Sequence, residues 1–534
     1  MERAAKEMRA DCADAFMKAQ PYHRELQSIY RYMMPWRQTT IDRAPGGGGQ
    51  SEGASIADYI FDATGISAAA NFAGTIQEDW MPMNREFFKL EAGPFLPEET
   101  DRDEINLAYS KITQRVHAIS ARPQLTALEC FYDYFAGTCA MYTAKGNART
   151  IINAAAAPII ELAIEDGPWG ETWDIYWKRA YRFRDLPALW PNGKFSDAIK
   201  RAIEQTPREM LQVTQYTHYD PRTDSWLFDV WTDRDEDLDK VVWHEDFNVS
   251  PWSVARMFKM PGERFGRGLG HLALPFVKTA NRGRELVLKA AVFAILGIWL
   301  RRNDSVFNPD TAVFDPGAMW AVSQTGGQFA SLSRLPVPSA EFNISHIIQQ
   351  EERDQIRRVL LDDELPDEQD PVRSATEVAG KLRRWARRKG GTGARLGPEF
   401  VVPYVQRACD ILGQFGHVPK GITIDQIITR CLITAPAAAA QRSDKVEAWV
   451  NYTQIISMLF GPQVAMMLTK AEAIPEMGRN LGIPEEHLPK KADLDQMRQA
   501  LQSAAQQMIA NQKNGAGGPE QSSVAQQYLS EAAA

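Results

Sequence analysis

Few residues in this chain stand at spacings that could do covalent chemistry. Cys139, within Phe135–Tyr142 (FAGTCAMY), is a nucleophile by type, but no base sits at a recognisable motif distance. It reads as a small buried residue at the start of a strand. Asp233, Asp235, Asp237 and Asp239 alternate as in a calcium loop. Leu238 and His244 stand where that loop needs a glycine and a carboxylate, so a solvated hairpin tip fits better. Gly266–Gly270 (GRGLG) lacks the spacing of a dinucleotide fingerprint and reads as a turn feeding a long helix. No Gly-Lys pair is followed by Ser or Thr: Lys194 precedes Phe195 and Lys381 precedes Leu382. The phosphate cradle of a P-loop motor is therefore missing. GxSxG and HExxH are absent, and His244-Glu245 has no second histidine four residues after the first. The five cysteines (12, 130, 139, 409 and 431) form no CxxC pair, which points to reduced thiols and no zinc site. No cofactor and no metal are expected.

Two charge clusters remain. Lys381, Arg383, Arg384, Arg387, Arg388, Lys389 and Arg395 crowd one stretch. They are phosphate contacts, a solvated helix face, or the partner of an acidic neighbour. Asp362, Asp363, Glu364, Asp367, Glu368 and Asp370 form an acidic run. It repels phosphate, and would either keep a channel loop hydrated, pair with a basic cluster on another subunit, or merely solvate a turn.

The elements that must position these groups are mainly helical, in an α+β chain. With 534 residues, 44% hydrophobic and 24% charged, the composition is that of a globular protein of about three or four units. Sixty basic against 68 acidic residues leave a net charge of −8, unlike the basic balance of a DNA-coating protein. The N-terminus carries charges throughout, so no secretory signal is expected. Ala290–Leu300 is the longest apolar run, eleven residues closed by Arg301 and Arg302. That is short of the roughly 20 a bilayer span needs, so it is expected to lie in a deeply buried helix.

Helical periodicity runs through Met8, Cys12, Ala15, Phe16 and Ala19, and resumes after Pro21 with Leu26, Ile29, Tyr30 and Met33. Further helices are predicted over Ile56–Trp80, around Ile105–Ile119, over Leu125–Phe135, Asp185–Ile203, Val277–Arg302 and Ser345–Leu361, and in the zone Ala375–Phe415. Strands are predicted at Phe87–Leu90, in a hairpin of Ile159–Ile164 with Glu171–Phe183, and at Leu211–His218, Trp226–Thr232 and Val241–His244. The stretches 45–53 and 513–534 combine glycine and polar residues and are expected to be poorly ordered in an isolated protomer.

In this order the motifs resemble the head-to-tail connector, or portal, family of short-tailed bacteriophages. Phe61–Leu90, with Thr64 and Gly65 opening an Ala-rich helix before a proline stop, looks like the family's N-terminal block. Gly137 and Thr138 in FAGTCAMY are similar to its Phe-Gly-Thr-Gly element. Pro251 and Arg256, then Gly266, Arg267 and Gly268, then Asn281 match its Gly-Glu-x-Tyr-Gly-Arg-Gly segment and first stem helix. Thr376 and Glu377 lie in SATEVAGKL, similar to its Thr-Ala-Thr-Glu-Val segment. The resemblance spans about 61–410. Phe265 replaces a usual Tyr, Leu269 stands near a usual Pro, and Ala280-Asn281 replaces Leu-Asn. These departures put side-chain hydrogen bonds at that junction in question.

The resemblance implies a portal fold: a wing over 1–276, stem helices at 277–302 and 344–362, a clip at 303–343, a tunnel loop at 363–373, a wing or channel helix at 374–424, a crown at 425–512 and a terminal tail. It implies no enzyme. It implies a dodecameric ring at one capsid vertex of the virion, assembled in the host cytoplasm, through which double-stranded DNA passes during packaging, retention and ejection. The expected partners are other copies of the chain, the major capsid protein, a packaging ATPase (terminase) and a tail adaptor, with no membrane insertion. On this reading the acidic run faces DNA as the tunnel loop. The basic cluster serves the channel or a neighbouring subunit, and the long apolar stem segment buries against neighbouring subunits. Twelve copies of a −8 chain carry about −96, which favours passage over retention by phosphate contacts. A DNA-processing enzyme would need the missing phosphate loop. Another structural adaptor would usually be much shorter and lack the helix–insert–helix pattern.

Overall fold

The computed structural model describes residues 5–40, 58–83, 85–93, 102–147, 149–233, 240–296, 299–301, 332–334, 340–362, 393–419, 428–434 and 449–456, with 95, 424, 458 and 478. The predicted tunnel loop 363–373 with Asp363, Glu364, Asp367, Glu368 and Asp370 falls outside these residues. So do Thr376, Glu377, the basic cluster Lys381, Arg383, Arg384, Arg387, Arg388 and Lys389, positions 234–239 of the aspartate-rich tip, most of 303–343 and 457–512, and the stretches 45–53 and 513–534.

Helix α1 (Ala5–Met33) runs unbroken through Pro21. Its apolar stripe, Met8, Cys12, Ala15, Ala19, Leu26, Ile29 and Tyr30, is buried, and that burial outweighs the backbone bond a mid-helix proline removes. Helix α2 (Thr64–Trp80) follows. It was expected from Ile56, but Asp62 Oδ1 takes the Thr64 N–H at 2.9 Å, and this local turn fixes the start at 64. Strand β1 (Phe88–Ala92), α3 (Arg102–Ile119) and α4 (Ala121–Phe135) complete the N-terminal third.

The middle is a succession of antiparallel strands. These are β2 (Thr138–Lys145), β3 (Ile152–Ala156), β4 (Leu162–Asp166), β5 (Thr172–Arg182), β6 (Met210–Asp220), β7 (Ser225–Thr232), β8 (Trp243–Phe247) and β9 (Trp252–Arg256). They make a sheet in the order β4-β5-β6-β7-β8 and a smaller one in the order β3-β2-β9. Between β5 and β6 a single helix was expected. It is split into α5 (Leu186–Leu189) and α6 (Asp197–Gln205), because Pro191 and Gly193 interrupt it and Ser196 Oγ caps the second piece through the Ile199 N–H. Leu186 and Ile199 of the two pieces, with Trp190 just after α5, press onto Val213, Phe228 and Val230 of the sheet. The third predicted strand lies two residues later than its signal, at Trp243–Phe247.

Helix α7 (Leu269–Leu296) starts earlier than the predicted Val277, and carries Pro275 within it. It is followed by the short pair β10 (Trp299–Arg301) and β11 (Leu332–Arg334), then α8 (Ala340–Val359), a π-helical turn at Gly397–Val401 continuous with α9 (Val402–Gln414), and β12 (Thr429–Ile433). Arg284 on α7 bonds Gln349 on α8 at 3.3 Å, and Gly283 faces Glu352, so the two helices run antiparallel. The apolar run was expected to be deeply buried. Of that run only residues 290–292 have described burial, and there Val292 is 52% exposed; the helix ends at Leu296 rather than Arg302.

The chain divides into two units, residues 1–87 with 114–424, and 88–113 with 425–534. The first holds everything from α4 to α9 and the main cores. Within it Asp133, 1% exposed, accepts from Tyr30 Oη at 2.6 Å and from both Nε and Nη2 of Arg37 at 3.0 and 2.5 Å. A buried carboxylate is tolerable only with such full pairing. In the second unit β1 pairs antiparallel with β12, Leu90 opposite Cys431. Thr113 Oγ1 and Asn106 Oδ1 take the Leu90 and Ala92 N–H groups at 3.1 and 2.8 Å, and Tyr109 bonds Thr429 at 2.8 Å.

Candidate functional site

Two fastenings, both in the first unit, anchor the base of the α7–α8 pair. In the first, the turn after α4 lies backbone-to-backbone against residues 266–268. Gly137 has φ of +121°. A Cβ there would stand 2.2 Å from the Gly266 carbonyl oxygen, and one on Gly268 would stand 2.3 Å from that of Phe135. Only glycine allows this approach. Met257 N–H donates to Gly137 O at 2.7 Å, Phe258 and Arg267 exchange two backbone bonds at 3.0 Å, and Gly266 N–H donates to Thr138 Oγ1 at 2.8 Å. Tyr22 of α1 seals the junction. Its ring stacks on Phe265 with centroids 4.5 Å apart, and its hydroxyl donates to Gly266 O at 3.0 Å. Burial pushes the Tyr22 phenol well above its ordinary range, so it stays a neutral donor. Phe265 lacks the hydroxyl of the usual Tyr, and the donor at this point comes from α1. Arg267, singled out by its motif, acts here through its main chain. Its side chain is exposed and pairs with Glu263 at 2.6 Å.

In the second fastening, Asn281 of α7 grips the approach to α2. Its Oδ1 accepts from the N–H groups of Phe61 and Asp62 at 2.7 and 3.2 Å, and its Nδ2 donates to Tyr59 O at 3.0 Å. Asp62, 6% exposed, receives Arg353 Nε of α8 at 2.7 Å. Burial alone would raise the Asp62 carboxyl; the Thr64 and Arg353 donors outweigh it and hold the group below its ordinary value. Gly65 lets α2 close on α7: a Cβ there would stand 3.2 Å from Val277. Asp362, the only described member of the acidic run, ends the turn after α8 and accepts from Asn71 Nδ2 at 3.1 Å. Beside it Ala68, Phe72, Leu360 and Leu361 help line a cavity of about 20 Å³.

Behind the glycine junction Arg256 is 2% exposed. It donates to Asp166 at 2.6 Å and to Gly170 O at 3.0 Å, while its backbone N–H meets Glu399 Oε2 at 2.9 Å. Lys259 joins Asp166 at 2.5 Å. These groups are occupied with one another and fix strand ends. Cys139 is buried in β2, and burial pushes its thiol well above the ordinary value, which makes it a poor nucleophile. Among the described residues no three acidic, histidine or cysteine side chains are placed to hold a metal ion, and no helix is long and apolar enough to cross a membrane.

The motif residues Gly137, Thr138, Gly266 and Gly268 are thus brought together, as are Thr64, Gly65 and Asn281. Sequence reasoning missed Tyr22, Asp62 and Arg353. Tyr22 and Arg353 carry no motif and meet partners 244 and 291 residues away. A model of the family described as bacteriophage head to tail connecting protein matches residues 5–488. The chain belongs to that family. Head-to-tail connecting proteins are a structural family, generally without enzymatic activity. Among solved structures, a chain in the virion of a native gene transfer agent particle is similar at 10% identity and a TM-score of 0.33, covering 82% of this chain and 98% of that one. Chains in the neck of the empty particle, computed with C6 symmetry, and of the native particle, computed with C12 symmetry, give 11% and 10% identity. Each has a TM-score of 0.32 with the same coverage. No curated protein matches the sequence.

Proposed function

We propose that this head-to-tail connecting protein is the portal of a short-tailed phage: a ring of twelve copies at one capsid vertex, with double-stranded DNA passing through its bore. Burial along α7 supports the reading best. From Leu269 to Asn281 the helix has buried positions at Leu269, Ala273, Leu274, Val277, Ala280 and Asn281. From 282 to 292 it has none. Leu286, Leu288 and Val292 are 52, 41 and 52% exposed, and Ile347 and Ile348 on α8 are 66 and 50% exposed. A helix pair that leaves its own core with apolar side chains in water is suited to burial against other copies.

In this reading α7 and α8 form the stem and the segment between them the clip. The acidic run 363–373 is the tunnel loop near DNA, the basic cluster 381–389 serves the channel or an adjacent subunit, and the region after 425 is the crown. The ring docks a packaging ATPase during filling, is held by the major capsid protein, and later takes a tail adaptor. Its work is geometric, and no covalent step is assigned to it. Negative-stain imaging and native mass measurement of the purified chain test the proposal. Annular particles near 720 kDa, twelve times 60.0 kDa, are expected. A stable monomer under assembly conditions refutes the ring.

A further inference from the structure

One end of the five-stranded sheet holds a tryptophan out into solvent. Trp169, at the β4–β5 tip, is 88% exposed. The tip is firmly built. Gly167 N–H donates to Glu171 O at 2.8 Å and Gly170 N–H to Gly167 O at 3.0 Å. Gly170, at φ +84°, gives its carbonyl oxygen to Arg256 at 3.0 Å and Lys259 at 2.6 Å, and Asp166 holds both cations at 2.6 and 2.5 Å. An aromatic on so fixed a support loses little freedom on binding, and tryptophan is among the residues that dominate interfaces. Asp174 pairs with His218, which places the β6–β7 turn at the same end of the sheet. Arg256 and Lys259 are already paired with Asp166, and the two turns themselves carry three carboxylates, Glu171, Asp220 and Asp224, against one guanidinium, Arg222.

The same unit carries a hole of the opposite character. Arg115, Ala118, Ile119, Ile151, Leu412 and His417 line an open cavity of about 380 Å³, within the range that takes a ring-sized group. Its walls are apolar and its rim basic. Arg115 donates to His417 O, Lys145 lies 5.1 Å from the ring of neighbouring Phe415, and no carboxylate is among the lining residues.

We propose that Trp169 is the knob, and the cavity bounded by Arg115, Ala118, Ile151 and Leu412 the hole, of a contact between two copies of this chain. A knob and a hole on different surfaces of one chain make a head-to-tail contact that repeats from copy to copy and closes as a ring when the rotation allows. The inference rests on the ring reading above and deepens it by naming the contact. The indole fills the apolar cavity and lies against the Arg115 guanidinium, a cation–π arrangement. Glu171, Asp220 and Asp224 face the basic rim.

The test uses the full-length chain, with the ring fraction followed against protein concentration by single-particle mass measurement. Trp169→Ala should raise the half-assembly concentration about 30-fold or more, the loss expected of a central interface aromatic. Ala118→Trp, which fills the cavity from an exposed position, should do the same. Arg115→Glu should weaken assembly and Arg115→Glu with Glu171→Arg should restore it. Trp169→Cys combined with Ala118→Cys should give covalent oligomers under mild oxidation, a readout independent of ring strength and of any loss of stability in the other variants. If rings form at the wild-type concentration in Trp169→Ala and the cysteine pair gives no covalent oligomers, the contact is wrong and the ring reading stands. If the variant assembles normally but loses capsid protein or tail adaptor, Trp169 belongs to that partner and the proposal is overturned. If the wild-type chain stays monomeric at every concentration, the ring reading and the contact fail together.

Discussion

Gly137→Ala should destabilise the first unit by about 3–5 kcal/mol, whereas Gly74→Ala, the same chemical change in α2, should stabilise it. At Gly137 three costs add. The φ of +121° lies where a side chain costs about 1–3 kcal/mol. The new methyl would also stand 2.2 Å from Gly266 O and 2.5 Å from Gly268 N, so two backbones must part, at about 1–3 kcal/mol for overpacking. Parting them also strains the Met257–Gly137 and Gly266–Thr138 hydrogen bonds of 2.7 and 2.8 Å, each worth about 1 kcal/mol. At Gly74 a Cβ meets nothing within 4 Å and the residue lies inside Thr64–Trp80, so alanine should add about 1 kcal/mol through helix propensity. The assay is the urea midpoint of the unassembled protomer, followed by circular dichroism, with both variants beside the wild type. Opposite shifts are expected, the loss several times the gain. A Gly137→Ala protein within about 0.5 kcal/mol of wild type, the range of an ordinary surface change, refutes the close backbone approach.

Three further outcomes are expected. Asn281→Ala strips the acceptor from two backbone N–H groups and the donor from Tyr59 O, and should cost about 2–3 kcal/mol in the same titration, while Lys289→Ala, on the exposed part of the helix, should change little. His23 is buried in α1, and that burial lowers its pKa from 6.5 to about 4. The unfolded chain therefore binds this proton more readily than the folded one between these values. The stability this histidine allows is complete above pH 6.5 and falls as pH drops toward 4, by up to about 3 kcal/mol; His23→Leu should flatten that part of the pH profile, and an unchanged slope would contradict the assignment. Replacing Asp362, Asp363, Glu364, Asp367, Glu368 and Asp370 by their amides should leave ring assembly intact and impair DNA packaging or retention, because charges within about 8 Å of a duplex escape full screening. Normal packaged length and normal retention would deny the run a channel role.

Local pattern made most elements legible. The stripe of α1, the hairpin around Asp166–Gly170 and the existence, though not the ends, of the two long helices followed from spacing. Errors lay where a single local contact overrules periodicity. Asp62 fixes the start of α2 at Thr64, and Pro191 with Gly193 splits the segment after Arg182 that periodicity joins. Exposure along α7 was harder still. Its apolar residues look the same whether they pack inside one protomer or wait for another. The glycines of Gly266–Gly270 were readable as a turn, but their reason, the backbone of Gly137 pressed against them, is a tertiary fact that sequence does not display. Tyr22 and Arg353 were invisible for the same cause.

The two fastenings also explain why the helix pair can extend without its own core. Gly268 and Asn281 are thirteen residues apart, about 20 Å along a helix at 1.5 Å per residue. A rod held at one point can swing; held at two, its axis is set. Tyr22 and Thr138 hold the first point, and Asn281 the second, where Asp62 and Arg353 draw α8 to the same place. Beyond Asn281 the direction of α7 is inherited from these contacts rather than from burial, and the pairing of Arg284 with Gln349 keeps α8 beside it. Loosening either fastening should therefore disturb how copies meet before it unfolds any one of them. That order of failure would separate a positioning role for this site from a merely stabilising one.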